Sequence, residues 1–201
     1  CASFLSFSGG LFHLIYTDVK YGKRDPYKSA HNYLVTAPSI EGPWSEPVFL
    51  NSSGFDPSLF HDDDGRKWLL NMLWDHRKQN NRFAGILLQE FCPRTQSLVG
   101  PVKNIYLGTD RGLVEGPHLY KRDGWYYLLT AEGGTEYAHA CTLARSRNID
   151  GPYETHPQKH LLSSYGHPEA PLQKAGHGSL VETADGECPS HAGQFQPRVN
   201  R

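Results

Sequence analysis

Asp56-Pro57-Ser58-Leu59-Phe60 and Glu115-Gly116-Pro117-His118-Leu119-Tyr120 are two copies of one pattern, and their spacing decides the fold. Each copy runs into an Asp-Gly pair, Asp64-Gly65 in the first and Asp123-Gly124 in the second. Beyond the turns, Lys67-Trp68-Leu69-Leu70 answers to Trp125-Tyr126-Tyr127-Leu128-Leu129. Asp-Gly between two apolar runs is a strong hairpin signal, because the turn needs positive φ at both central residues. A third pair, Asp185-Gly186, keeps the period, and Ser6-Phe7-Ser8-Gly9-Gly10-Leu11-Phe12-His13-Leu14 is a weaker copy. A second motif repeats independently. Tyr33 to Trp44, ending in Gly42-Pro43-Trp44, resembles Thr142 to Tyr153, ending in Gly151-Pro152-Tyr153, 109 residues later. Both motifs fit one unit, a four-strand meander of about sixty residues. Repetition of such a unit predicts an all-β chain built as propeller blades. A β-sandwich with coincidental turns would not hold two motifs in one register.

That register carries chemistry. Nine residues before Gly65, Gly124 and Gly186 stand Asp56, Glu115 and His177. If this position opens the innermost strand of each blade, the three side chains face one axial cavity. Two carboxyl groups sharing a cavity suit acid–base catalysis. Inverting glycoside hydrolysis needs a protonated carboxyl for the leaving oxygen and a carboxylate that activates water. A further carboxylate beside the acid raises its pKa, since like charges oppose ionisation.

Composition excludes several partners. Across 201 residues the net charge is -1, which argues against nucleic acid or an anionic membrane held by bulk electrostatics. No apolar run is long enough to span a bilayer. Residues 1–10 lack the basic start and small-residue cleavage site of a signal peptide, which leaves the compartment unread. The four cysteines, Cys1, Cys92, Cys141 and Cys188, form no CxxC pair and suggest neither zinc nor a disulfide framework. Asn51-Ser52-Ser53 fits a glycosylation acceptor but reads better as a polar turn. Asp62-Asp63-Asp64-Gly65 lacks the later ligands of a calcium loop and reads as a hairpin turn. Aromatic residues make up 12 % of the chain, enough for strand cores and for rings that stack on sugars.

Four stretches taken together resemble glycoside hydrolase family 43, most closely its β-xylosidases. They are Gly54-Phe55-Asp56-Pro57-Ser58-Leu59-Phe60-His61-Asp62, Val114-Glu115-Gly116-Pro117-His118-Leu119-Tyr120, Thr130-Ala131-Glu132-Gly133-Gly134-Thr135 and Gly176-His177-Gly178-Ser179-Leu180-Val181-Glu182-Thr183. The resemblance implies a five-bladed β-propeller, of which about three blades plus remnants are present. It implies inverting hydrolysis of β-1,4-xylosyl bonds in xylan-derived oligosaccharides, with α-L-arabinofuranosyl bonds as a second substrate class. Glu115 matches the general acid and Asp56 the carboxylate that tunes its pKa. Phe55 and Thr135 match residues near the sugar pocket, and Trp74 an aromatic on the leaving-group side. His177 matches an axial histidine beside a central calcium or its waters. No nucleic-acid or membrane partner is implied, and the oligomeric state is not legible.

The chain departs from the family at both ends. The general base is an Asp in a Pro-Asp-Pro motif of the first blade, which has no counterpart here. Cys1-Ala2-Ser3 stands where the family reads Trp-Ala-Pro. Residues 1–187 are therefore expected to form a partial catalytic propeller. Residues 188–201 carry no strand pattern and are expected to be a disordered tail outside the family. A chain without the base is expected to be inactive by itself, or a sugar-binding remnant.

Overall fold

The computed structural model describes residues 2–20, 29–181, 190–191 and 194–197. Among the described residues there is no helix, and three antiparallel sheets of four strands dominate. The first holds β1 (Phe4–Ser8), β2 (Leu11–Val19), β3 (Ala30–Ala37) and β4 (Val48–Asn51) in sequential order. The second holds β5 (Gly54–His61), β6 (Lys67–Trp74), β7 (Phe83–Cys92) and β8 (Ser97–Tyr106) in the same order. The third holds β9 (Glu115–Arg122), β10 (Trp125–Glu132), β11 (Ala140–Ser146) and β12 (Glu154–Ser163). Each is the meander that the repeat predicts. Asp123-Gly124 forms the β9–β10 turn with both residues at positive φ, 51° and 71°. The Gly-Pro bonds 42–43 and 151–152 close the third strands of the first and third sheets, and both are cis.

The chain divides into two compact units, Cys1–Ile105 and Tyr106–Arg201. In the first unit, the sheet β1–β4 packs on β5–β8 through Ile15, Leu34, Leu50, Leu59, Leu69 and Phe91. Period-2 alternation along β2 and β3 turns Ile15 and Leu34 to this face, and burying each contributes roughly 1.5–3 kcal/mol. A chain of amides fastens the crossing from β4 to β5. Asn32 Nδ2 donates to Asn51 Oδ1 (2.7 Å) and to the Gly54 carbonyl (3.2 Å). Asn51 Nδ2 donates to Asn71 Oδ1 (3.1 Å), and Asn71 Nδ2 to Ser53 Oγ (3.0 Å) and the Met72 carbonyl (2.8 Å). Asn51 is thus the last residue of β4, with its side chain in this polar network.

In the second unit, β13 (Leu172–Gly176) packs against β11 and β12. Two short strands then follow β14 (Ser179–Leu180): β15 (Ser190–His191) pairs with β14, and β16 (Gln194–Pro197) with β13. Residues 190–191 and 194–197 thus lie in strands although residues 188–201 carry no strand pattern, and the rest of that segment lies outside the described residues. Strand pairing draws on backbone N–H and C=O groups that every non-proline residue carries, so a free edge can recruit a segment without alternating side chains. The third Asp-Gly pair, Asp185-Gly186, lies outside the described residues.

Candidate active site

In each unit the predicted carboxyl residue sits where the first strand of a meander begins, and there the ladder is interrupted. Phe55 pairs with Met72 and Ser58 with Leu70, so Asp56 and Pro57 together oppose Asn71 alone. Glu115 pairs with Ala131 and His118 with Leu129, so Gly116 and Pro117 together oppose Thr130. These are two copies of one β-bulge, a device that re-aims side chains at strand ends. Its left-handed residue is Asp56 in the first copy (φ 52°) and Gly116 in the second (φ 56°), and His177 adopts the same φ of 52°.

The offset of nine residues therefore does not mark one structural position. Asp56 and Gly116 are equivalent and Glu115 stands level with Phe55, while His177 shares the left-handed φ of the first two. The miscount has a simple cause. Residues 62–66 connect β5 to β6, but only residues 123–124 connect β9 to β10, so a count from the turn glycine mixes strand and loop residues.

Around Asp56 the first unit builds an aromatic wall. Asp56 is nearly buried, and its Oδ1 accepts a hydrogen bond from the Ala2 amide at 2.8 Å. Phe55 packs on Trp74 and Phe83, with ring centroids at 5.9 and 6.1 Å, and Trp74 meets Phe83 edge-on at 5.5 Å. The Arg82 guanidinium lies over Trp74 at 5.6 Å, a cation–π contact. Phe55 and Trp74, both singled out in the sequence, are brought into contact here. Phe83 completes the trio and was missed, because nothing in its local sequence sets it apart from a core strand residue. The β5 backbone reaches this place only because residue 54 is glycine: a Cβ there would lie 1.8 Å from the Met72 carbonyl oxygen.

Around Glu115 the second unit builds an imidazole cluster. Glu115 is 7 % exposed. A Cβ on Gly116 would meet three ring atoms of His177 at 2.7–3.0 Å, so glycine there serves both the left-handed backbone and the close approach of the ring. His118 meets the His177 ring edge-on at 6.3 Å. Burial first, and the neighbouring His177 second, hold His118 down at about 3, so it is neutral at ordinary pH. His139 is likewise held below its ordinary value, mainly by burial, and its Nδ1–H donates to the Glu132 carbonyl at 3.2 Å. His118 and His139 were not singled out, although His118 lies in the repeated motif itself. Thr135 sits exposed in the turn between β10 and β11, at the end of the sheet where Glu115 begins β9.

The resemblance implies a calcium, or its waters, beside His177. Calcium takes six to eight oxygen ligands, and the groups described near His177 include the His118 ring, Gly116 and His139. Among the described residues no group of three or more His, Cys, Asp or Glu side chains could hold a metal.

With this geometry in place, comparison with known proteins is informative. The model for glycosyl hydrolases family 43 matches residues 2–193, beyond the boundary at 187 drawn from motifs. The chain is 68 % identical over 182 residues to the xylosidase/arabinosidase 43B of Humicola insolens, covering 90 % of this chain and 34 % of that protein. It is 59 % identical over 179 residues to a β-xylosidase of Bacillus subtilis (strain 168), covering 89 % and 33 %. Among solved structures it superimposes on the xylan β-1,4-xylosidase of Bacillus halodurans C-125 with a TM-score of 0.90 at 69 % identity, covering 94 % of this chain and 36 % of that one. The chain thus spans about a third of the length of the relatives it matches. On this agreement of motifs, strand register and fold, the chain belongs to glycosyl hydrolases family 43.

Proposed function

We propose that the polypeptide carrying this segment is an inverting glycosidase that releases β-1,4-linked xylosyl units from the non-reducing ends of xylan-derived oligosaccharides. Its three meanders are read as blades of a five-bladed propeller. The observation that carries the proposal is Glu115, a nearly buried carboxyl group fixed at a strand head by a bulge that recurs at Asp56. In this mechanism Glu115 protonates the glycosidic oxygen as the C1–O bond breaks, through an oxocarbenium-like transition state. Water attacks from the opposite face and gives its proton to a carboxylate base. Such assistance contributes roughly 10²–10⁴-fold in rate. Asp56 supplies the negative charge that keeps Glu115 protonated until it is needed. Phe55 and Trp74 form the apolar wall on which a sugar ring stacks, and Thr135 borders the site.

Cleavage of α-L-arabinofuranosyl bonds is the second activity proposed. The similarity to the Humicola insolens xylosidase/arabinosidase supports it, as does 35 % identity to a non-reducing end α-L-arabinofuranosidase of Bacteroides ovatus. The family's base has no counterpart among residues 1–201, which favours an inactive or merely sugar-binding chain when this segment stands alone.

Both readings meet in one experiment. Residues 2–181 are exchanged into the Humicola insolens protein, and xylobiose hydrolysis is followed by proton NMR. The exchanged protein is expected to release α-xylose first, the product of inversion, while residues 1–201 alone turn over nothing. First release of β-xylose would overturn inversion, and turnover by residues 1–201 alone would mean that they contain a base.

A further inference from the structure

Glu132 is the most deeply buried carboxyl group described, at 0 % exposure, and the mechanism above gives it no task. It is the last residue of β10, next to Ala131, the strand partner of Glu115. Both of its oxygens accept from the Thr109 amide, at 3.1 and 3.2 Å, and Oε2 also accepts from the Thr109 hydroxyl. Thr109 lies in the segment that leads from β8 into Glu115. The rest of that segment is tied down residue by residue. The Asp110 carboxylate pairs with Lys159 at 2.8 Å, and the Arg111 guanidinium donates to the Ala138 carbonyl at 3.1 Å. The Gly112 carbonyl accepts from the Gly133 amide at 2.8 Å. Val114 is 1 % exposed, and a Cβ on Gly108 would lie 2.9 Å from its own Cβ.

These ties hold a backbone that would not choose its path. Leu113, two residues before Glu115, is held at φ 55°. A bulky side chain rarely enters the left-handed region, and such strain persists only where the surroundings over-determine it. Strain of this kind, placed directly before a functional residue, is informative about that residue's placement.

We infer that Glu132 is a positioning residue for Glu115, acting through Thr109 to hold residues 108–114 on the one path that delivers Glu115 to the head of β9. The inference rests on Glu115 being the general acid. Glu132 lies across the strand pair and acts through the backbone, so it is not itself a catalytic residue.

The test uses residues 1–201, labelled for NMR, with Glu132→Gln, Thr109→Val and Thr109→Ser. Thr109→Val keeps the shape of the side chain and deletes its hydroxyl. Losing a buried hydrogen bond to a carboxyl should speed amide exchange at residues 109–115 about tenfold. Exchange at Leu128, Leu129 and Ala144, inside the sheet, should not change. The χ1 couplings of Glu115 should report one rotamer in the parent chain and averaging in Glu132→Gln and Thr109→Val. Thr109→Ser, which restores the hydroxyl, should recover both signals. Unchanged exchange at 109–115, unchanged Glu115 couplings, or equal acceleration throughout β9–β12 would overturn the inference. None of these readouts involves turnover. A failed tie therefore leaves the acid assignment standing, and a Glu115→Gln enzyme with full activity would remove that assignment while leaving the tie intact.

Discussion

The two bulges, at Asp56-Pro57-Ser58 and at Gly116-Pro117-His118, share a backbone and divide their labour differently. In the first, the left-handed residue carries the carboxyl group, and Ala2 is near enough to donate to it. In the second, a ring of His177 occupies the space that a side chain would need, so the residue must be glycine and the carboxyl group moves one position back, to Glu115. In the first copy that preceding position belongs to Phe55, which faces Trp74 and Phe83. One local geometry thus presents an acid from either of two adjacent positions. In the second copy the His177 ring excludes a side chain from the left-handed position.

Substitutions can break this comparison, the most damaging first. Gly54→Ala would drive a Cβ into the Met72 carbonyl at 1.8 Å, a backbone atom that cannot step aside. A loss of about 4 kcal/mol or more is expected in urea unfolding. Val114, level with Gly54 in the other copy, carries a full buried side chain, so Val114→Gly should cost less, as a cavity does. Gly116→Ala adds strain at φ 56° and a contact with the His177 ring at 2.7 Å, but a ring can shift, and about 1–3 kcal/mol is expected. Asp56→Gly keeps the left-handed backbone at ease and gives up the hydrogen bond from the Ala2 amide, a bond that contributes about 1 kcal/mol.

The two units also share a dependence on pH, carried by different rings. His61 is pulled down to about 3 by burial first, then by Lys67 and His13. It accepts from Lys67 Nζ at 2.7 Å, and its other nitrogen lies 2.8 Å from Ser6 Oγ. His118 in the second unit is held equally low by burial and His177. An unfolded histidine takes its proton near 6.5, so between that pH and about 3 the unfolded chain binds protons that the folded one refuses. Stability is fully present above pH 6.5 and falls as the pH drops through this window. Amide exchange measured from pH 7.5 to 5 should show both units loosening, and His61→Gln should flatten the trend in the first unit while leaving it in the second. An equal slope in parent and variant would contradict the assignment.

Much of this was legible in the sequence because it rests on local signals. Asp64-Gly65 and Asp123-Gly124 announce hairpins whatever surrounds them, and the 109-residue spacing of Gly42-Pro43 and Gly151-Pro152 fixes strand order. Glu115, Asp56, Phe55 and Trp74 stood out for the same reason, as parts of repeated or family-like motifs. What was not legible depends on pairing. The level of Glu115 relative to Asp56 is set by a bulge and by unequal loops, neither of which a count of residues registers. The strands β15 and β16 exist through backbone pairing with β14 and β13, without an alternating pattern. Phe83 gains its place from contact with Trp74 and no local cue marks it, whereas Glu132 stood in a family-like stretch but its task depends on pairing with Thr109, 23 residues earlier.

If Glu115 is the acid, its loss should be felt only where the leaving group needs a proton. In the Humicola insolens protein carrying residues 2–181 of this chain, Glu115→Gln is compared with the parent on xylobiose and on 2,4-dinitrophenyl xyloside. The first leaving group needs a proton and the second does not. The expected result is a kcat lower by about 10²–10⁴-fold on xylobiose and nearly unchanged on the aryl xyloside. An equal loss on both substrates, or no loss on xylobiose, would contradict the assignment of Glu115.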